Sequence, residues 1–163
     1  MLRTMSDDAQ TVRTFLTALQ AGDLDAATAM LTDDAQWINV SLPTIRGRAS
    51  IERVMRFCFV RLTGSFRVAF HNVAARDGIV LTERTDELAF GPLQQRFWVY
   101  GRFELRDGRI AVWRDSFDWG DMLVGLARGL VAIGVPSLNR RWPDEPPVSG
   151  AMPVAAGQIE HAA

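Results

Sequence analysis

The chain has no lysine, one cysteine and two histidines. Each shortage removes a class of chemistry. Without lysine there is no Schiff-base amine, and all 18 basic side chains are arginine, a bias that reads as genome composition. One cysteine, Cys58, cannot build an internal disulfide framework. Its place on an apolar stripe marks it as a small core residue rather than a nucleophile. His71 alternates with Phe70 on a strand and reads as structural, and His161 stands in the C-terminal stretch. Neither belongs to the His and Cys cluster that a zinc site needs. There is no Gly-x-Ser-x-Gly elbow, phosphate-binding glycine loop or dinucleotide fingerprint. No metal or organic cofactor is implied. The net charge of −1 gives no reason to expect nucleic acid or an anionic membrane as partner. Met1 to Asp8 lack a hydrophobic signal core. Met122 to Val135 are apolar, but Arg128 interrupts them and they fall short of the ~20 residues a membrane span requires. A soluble, cytoplasmic protein with no membrane span is the expectation. If it is an enzyme, carboxylates and an arginine must carry the chemistry.

What is present is ordinary for a globular domain. The chain has 163 residues, 48% of them hydrophobic and 23% charged, enough for one sizeable core. Ser6 reads as an N-cap for a helix carrying Val12, Phe15, Leu16 and Leu19, which Gly22 ends. Asp23 caps a short second helix through Ala26, Met30 and Leu31. Trp37 to Leu42 reads as a strand. Ile51, Val54, Met55, Cys58, Phe59 and Leu62 form one amphipathic helical stripe. After Gly64 the period changes to two, with strands near 66–75, 79–90, 94–106 and 109–117. Asp77-Gly78 and Asp107-Gly108 are hairpin turn signals, and Gly91-Pro92 is a third break. A mostly apolar helix covers about 119–135, where Gly125 and Gly129 permit close packing. Residues 1–138 read as one domain, and 139–163, rich in Pro, Gly and Ala, as a flexible tail. Helices followed by a meander of long strands make an α+β protein. We expect a strongly curved mixed or antiparallel sheet wrapped around helices, a cone with an apolar pocket.

Charge interrupts two of these strands. Alternate side chains share a strand face, so Arg84 and Asp86 point with Val80, Thr82 and Leu88, and Asp115 points with Trp113 and Phe117. A charge on an apolar face is costly unless it is paired. One shared Asp–Arg–Asp site would answer that cost, with one carboxylate protonated and the other ionised. A solvated cross-strand ion pair is the alternative. Glu83, Arg102, Glu104, Arg114 and Asp118 read as surface charges of that ordinary kind.

Several motifs resemble the limonene-1,2-epoxide hydrolase family, its mycobacterial members most closely. They are Val80-Leu-Thr-Glu-Arg-Thr-Asp86, Gly91-Pro-Leu93, Phe97-Trp-Val99, and Asp107-Gly-Arg-Ile110 through Trp113-Arg-Asp-Ser-Phe-Asp118. Gly125-Leu-Ala-Arg-Gly-Leu-Val131 and Val135-Pro-Ser-Leu138 add to them, and the likeness runs from about residue 8 to 138. The resemblance implies the cone fold shared with nuclear transport factor 2, ketosteroid isomerase and polyketide cyclases. It implies an epoxide hydrolase that forms a vicinal diol in one step, without a covalent intermediate. In it Asp115 is the base that deprotonates water, Asp86 the acid that protonates the epoxide oxygen, and Arg84 the bridge between them. The family holds its water with a tyrosine and an asparagine two residues apart. Asn39 matches the asparagine, but Trp37 stands where the tyrosine belongs, and an indole donates a hydrogen bond without accepting one. Phe97, Val99, Trp113, Phe117, Leu88 and the Met122–Val135 helix would line an apolar pocket for a lipophilic epoxide. The family also implies a homodimer joined through the outer face of the sheet. A non-hydrolytic isomerase or cyclase, or a hydrophobic binding module on the same fold, is the alternative. An isomerase of this kind would need an oxyanion donor, and Tyr100, the only tyrosine, alternates away from the Phe97 and Val99 face.

Overall fold

The computed structural model describes residues 5–62 and 64–143. Helix α1 (Met5–Gln20) buries Val12, Phe15, Leu16 and Leu19 along one side. The helix already includes Met5, so Ser6 lies inside it and is not its N-cap. Gly22 turns the chain at φ +73°, and the Asp23 side chain accepts from the Ala26 amide at 2.9 Å to start α2 (Leu24–Ala29).

Strand β1 (Leu31–Asn39) corrects the sequence expectation at both ends. The helix does not continue through Leu31, and the strand does not run on to Leu42. The cause is long-range. β1 pairs in parallel with β6 (Arg109–Phe117), Leu31 opposite Ile110 and Trp37 opposite Trp113. No local pattern encodes a partner that distant in sequence. A two-residue edge strand, β2 (Ile45–Arg46), closes against β1.

Helix α3 (Arg48–Arg56) buries Ile51 and Met55, then widens into a π-helical segment, Phe57–Leu62. A single α-helical stripe was expected over this whole stretch. The π segment changes the period, and Cys58 is only half-buried instead of joining the core.

The strands β3 (Ser65–Arg76), β4 (Ile79–Phe90), β5 (Leu93–Arg106) and β6 form an antiparallel meander. Asp77 and Gly78 have φ of +51° and +75°, and Asp107 and Gly108 have +50° and +82°. Two successive positive φ values make the type I′ turn that Asp-Gly favours. The sheet order is β2-β1-β6-β5-β4-β3, mixed, curved and unclosed, as expected of an α+β cone. Phe15 meets Trp113 edge-on at 5.0 Å and Phe103 at 6.3 Å, which ties α1 to the inner face of the sheet.

Helix α4 (Trp119–Ala132) is capped by Asp118, which accepts from the Asp121 amide at 2.9 Å. It lies on β5 so closely that a Cβ at Gly125 or Gly129 would stand 2.6 Å from the carbonyl oxygens of Arg96 and Gln94. Glycine is required at both contacts. No helix among the described residues is long and apolar enough to cross a membrane. A 3₁₀ turn, Pro136–Leu138, follows. Asn139 to Trp142, expected to open a loose tail, pack back on the molecule. Asn139 donates to the Gln94 carbonyl at 3.2 Å, Arg140 pairs with Asp121, and the Arg67 guanidinium lies over the Trp142 ring. The rest of that stretch, 144–163, with His161, lies outside the described residues.

Candidate active site

Strand register brings the charged residues together. Asn39, Asp115, Gly101 and Thr82 stand side by side across β1, β6, β5 and β4. In the next row Val99 separates Phe117 from Arg84, and beyond it Phe97 stands opposite Asp86. Gly101 leaves a gap in the first row, and the Arg84 side chain fills it. A Cβ on Gly101 would lie 2.2 Å from Arg84 Nη1 and 2.4 Å from Thr82 Oγ1.

Through that gap the guanidinium reaches both acids. Arg84 Nε donates to Asp86 Oδ1 at 2.9 Å and Oδ2 at 3.3 Å. Arg84 Nη1 donates to Thr82 Oγ1 at 3.0 Å. Arg84 Nη2 lies 2.7 Å from Asp115 Oδ2. That last contact is an ion pair; its N–H direction falls outside hydrogen-bond geometry. The solvated ion pair left open by the sequence does not hold, because Arg84 is 0% exposed, Asp86 5% and Asp115 6%.

Burial sets the protonation pattern. It pushes the Asp86 carboxyl up to about 6, with the Asp115 charge acting in the same direction and the Arg84 charge against both. Burial alone would depress the Arg84 guanidinium, but the two carboxylates outweigh it and its pKa rises further. Arg84 is therefore a fixed positive charge. Asp86 can hold a proton near neutral pH and lose it to a developing alkoxide.

Asp86 and Asp115 open onto an apolar cavity of about 330 Å³. Trp37, Asn39, Leu88, Phe97, Val99, Trp113 and Phe117 also face it, so every sequence-predicted site residue except Arg84 is on its wall. Arg84 lies behind that wall. The expected lining by the whole Met122–Val135 helix does not occur. Only Met122 of that stretch reaches the cavity, and Leu123, Val124, Leu130 and Val131 are exposed to solvent. The helix shows the cavity only its first turn, because its glycine face is seated on β5. Cys58 also lines the cavity, and burial pushes its thiol up. A wider groove along α4, bordered by Arg128 and Arg141, carries no carboxylate and lies away from the triad.

Three features escaped the sequence reading. Thr82 receives a guanidinium hydrogen bond, Gly101 gives the guanidinium room, and the Trp113 indole donates from Nε1 to Asp115 Oδ2 at 2.8 Å. The one available signal was a glycine in mid-strand, which often marks a close approach. The outer face of the sheet also holds buried charge. Glu87, 2% exposed, sits between Arg67 and Arg96. Beside it His71 accepts or donates at Thr85 Oγ1 and stacks on Trp98 at 4.3 Å.

Residues 6–128 match the family model of the limonene-1,2-epoxide hydrolase catalytic domain. The chain is 48% identical over 130 residues to epoxide hydrolase EphG of Mycobacterium tuberculosis, covering 78% of this chain and 85% of that protein. It superposes on the structure of an LEH-like epoxide hydrolase from M. tuberculosis with a TM-score of 0.79 at 45% identity, covering 84% of this chain and 96% of the other. An NTF2-like protein from Burkholderia pseudomallei gives a TM-score of 0.65 at 18% identity, over 74% of this chain and 97% of that one. A putative ketosteroid isomerase from Kribbella flavida gives 0.59 at 17% identity, over 69% and 78%. These last two share the fold.

Proposed function

The chain belongs to the limonene-1,2-epoxide hydrolase family and is an epoxide hydrolase of that type; from this premise we propose that it adds water to a lipophilic epoxide in one step, through Asp115, Arg84 and Asp86. The observation that carries the mechanism is the buried line of two carboxylates on one guanidinium, opening onto an apolar cavity.

Asp115 takes a proton from water as the water oxygen attacks a ring carbon. The carbon–oxygen bond of the strained ring breaks, and Asp86 gives its proton to the leaving oxygen. The diol departs, and one proton passes from the Asp115 side to Asp86 to restore the starting state. No ester forms. Arg84 keeps the two acids unequal, and proximity does the rest. Asn39 and the Trp37 N–H hold the water. Trp37 Nε1 and Asp115 Oδ1 are buried without a hydrogen-bonding protein partner among the described residues, which suits such a role. The larger indole narrows the cavity relative to a tyrosine. Phe97, Val99, Trp113, Phe117 and Leu88 select lipophilic substrates. The alternative of a ketosteroid isomerase-like oxyanion site finds no support in Tyr100, whose side chain is on the outer face and 57% exposed.

Diol formation from styrene oxide or a steroid epoxide tests the reading. Asp115→Asn keeps the shape and removes proton acceptance, so activity should fall by about 10²–10⁴-fold. Wild-type turnover in that variant would refute the assignment.

A further inference from the structure

Trp113 does more than wall the cavity. Its Nε1–H donates to Asp115 Oδ2 at 2.8 Å, the same oxygen that Arg84 Nη2 approaches at 2.7 Å. Asp115 Oδ1 is buried with no hydrogen-bonding protein partner among the described residues. The two oxygens of one carboxylate are thus in different situations. The indole is also held still. It stacks on Trp37 at 4.6 Å and 11°, and on Phe103 at 6.4 Å and 10°, with Phe15 against it edge-on. Trp113 is only 4% exposed, so most of the ring is fixed by packing even though one part of it lines the cavity. An indole donates and cannot accept, so it cannot compete for the proton that the base removes.

We propose that Trp113 is a positioning residue for the base: its N–H and Arg84 engage Asp115 Oδ2 and leave Oδ1 as the one oxygen that takes the proton from water. This rests on the reading of Asp115 as the base. A donated N–H favours the ionised carboxylate. Removing it must raise the pH at which the base becomes active. The charged and titratable groups around Asp115 are few. β4 supplies Arg84 and Asp86, and the π-helical segment supplies the Cys58 thiol on the cavity wall. β5 places Gly101 opposite, β1 places the neutral Asn39, and α4 contributes Trp119 and Met122.

Trp113→Phe keeps a ring in the stack and deletes the donor. The measurement is kcat and KM for diol formation from styrene oxide across pH, with Asp115→Asn alongside. The acidic limb of kcat/KM should move up by roughly 0.5–1 pH unit. kcat should fall about tenfold with KM little changed. Where Trp113→Phe is poorly folded, benzothienylalanine at position 113 keeps the bicyclic shape, replaces N–H by sulfur, and should move the limb equally. Loss of rate with an unmoved limb, in whichever variant folds, overturns the proposal and leaves Asp115 as the base. Wild-type diol formation by Asp115→Asn overturns both.

Discussion

Arg84 is the residue on which the account bears hardest. It is wholly buried and touches both carboxylates. Lysine would keep the charge but lose the planar fork that engages both acids and Thr82 at once, so Arg84→Lys should lose most activity. Arg84→Ala should also destabilise the fold by about 3–5 kcal/mol, since it leaves buried carboxylates unpaired. A loss in urea denaturation below about 1 kcal/mol, the range of a surface ion pair, would contradict this. Asp86 supplies a second expectation. Its pKa is raised from 3.8 to about 6. An acid catalyst works while protonated, so kcat/KM should fall as pH rises through about 6. The limb belongs to the coupled Asp86–Asp115 pair rather than to one residue. A profile flat from pH 5 to 8 would remove Asp86 from the role.

At the scale of elements, the site is a product of register. Gly101 lets Arg84 cross β5 to Asp115. Gly101→Ala should displace a guanidinium that cannot swing away, because it is buried and paired. We expect a loss of about 1–3 kcal/mol from overpacking and a fall in kcat, read by denaturation and turnover together. Retention of both would mean that the gap is not needed. The same dependence on register explains what sequence could and could not reveal. The Asp-Gly turns were legible because two residues set their own φ values. The four meander strands were legible from alternation, whereas charge on apolar faces left a shared buried cluster and a solvated ion pair both open, and the burial of Arg84, Asp86 and Asp115 decides between them. The start of β1 at Leu31 was not, because it depends on a parallel partner in β6. The Trp113–Asp115 and Arg84–Thr82 hydrogen bonds were not, because alternation gives a face but no side-chain direction. The π segment after α3 and the burial of Glu87 between Arg67 and Arg96 are likewise tertiary effects.

For the molecule as a whole, a curved sheet puts two buried carboxylates on the wall of an apolar cavity. It leaves a second set of side chains, including Leu81 and Tyr100, exposed on the outer face. Pairing of that face in a homodimer predicts twice the chain mass by light scattering. Tyr100→Glu should shift the protein toward monomer, and an unaltered mass in that variant would place the interface elsewhere. The central claim is direct addition of water with no ester on the enzyme, and a single turnover in ¹⁸O-labelled water tests it most directly. With enzyme in excess over styrene oxide, the first-turnover diol should carry one ¹⁸O, and peptides containing Asp86 or Asp115 should carry none. An unlabelled first-turnover diol, with ¹⁸O in either carboxylate, would contradict the account.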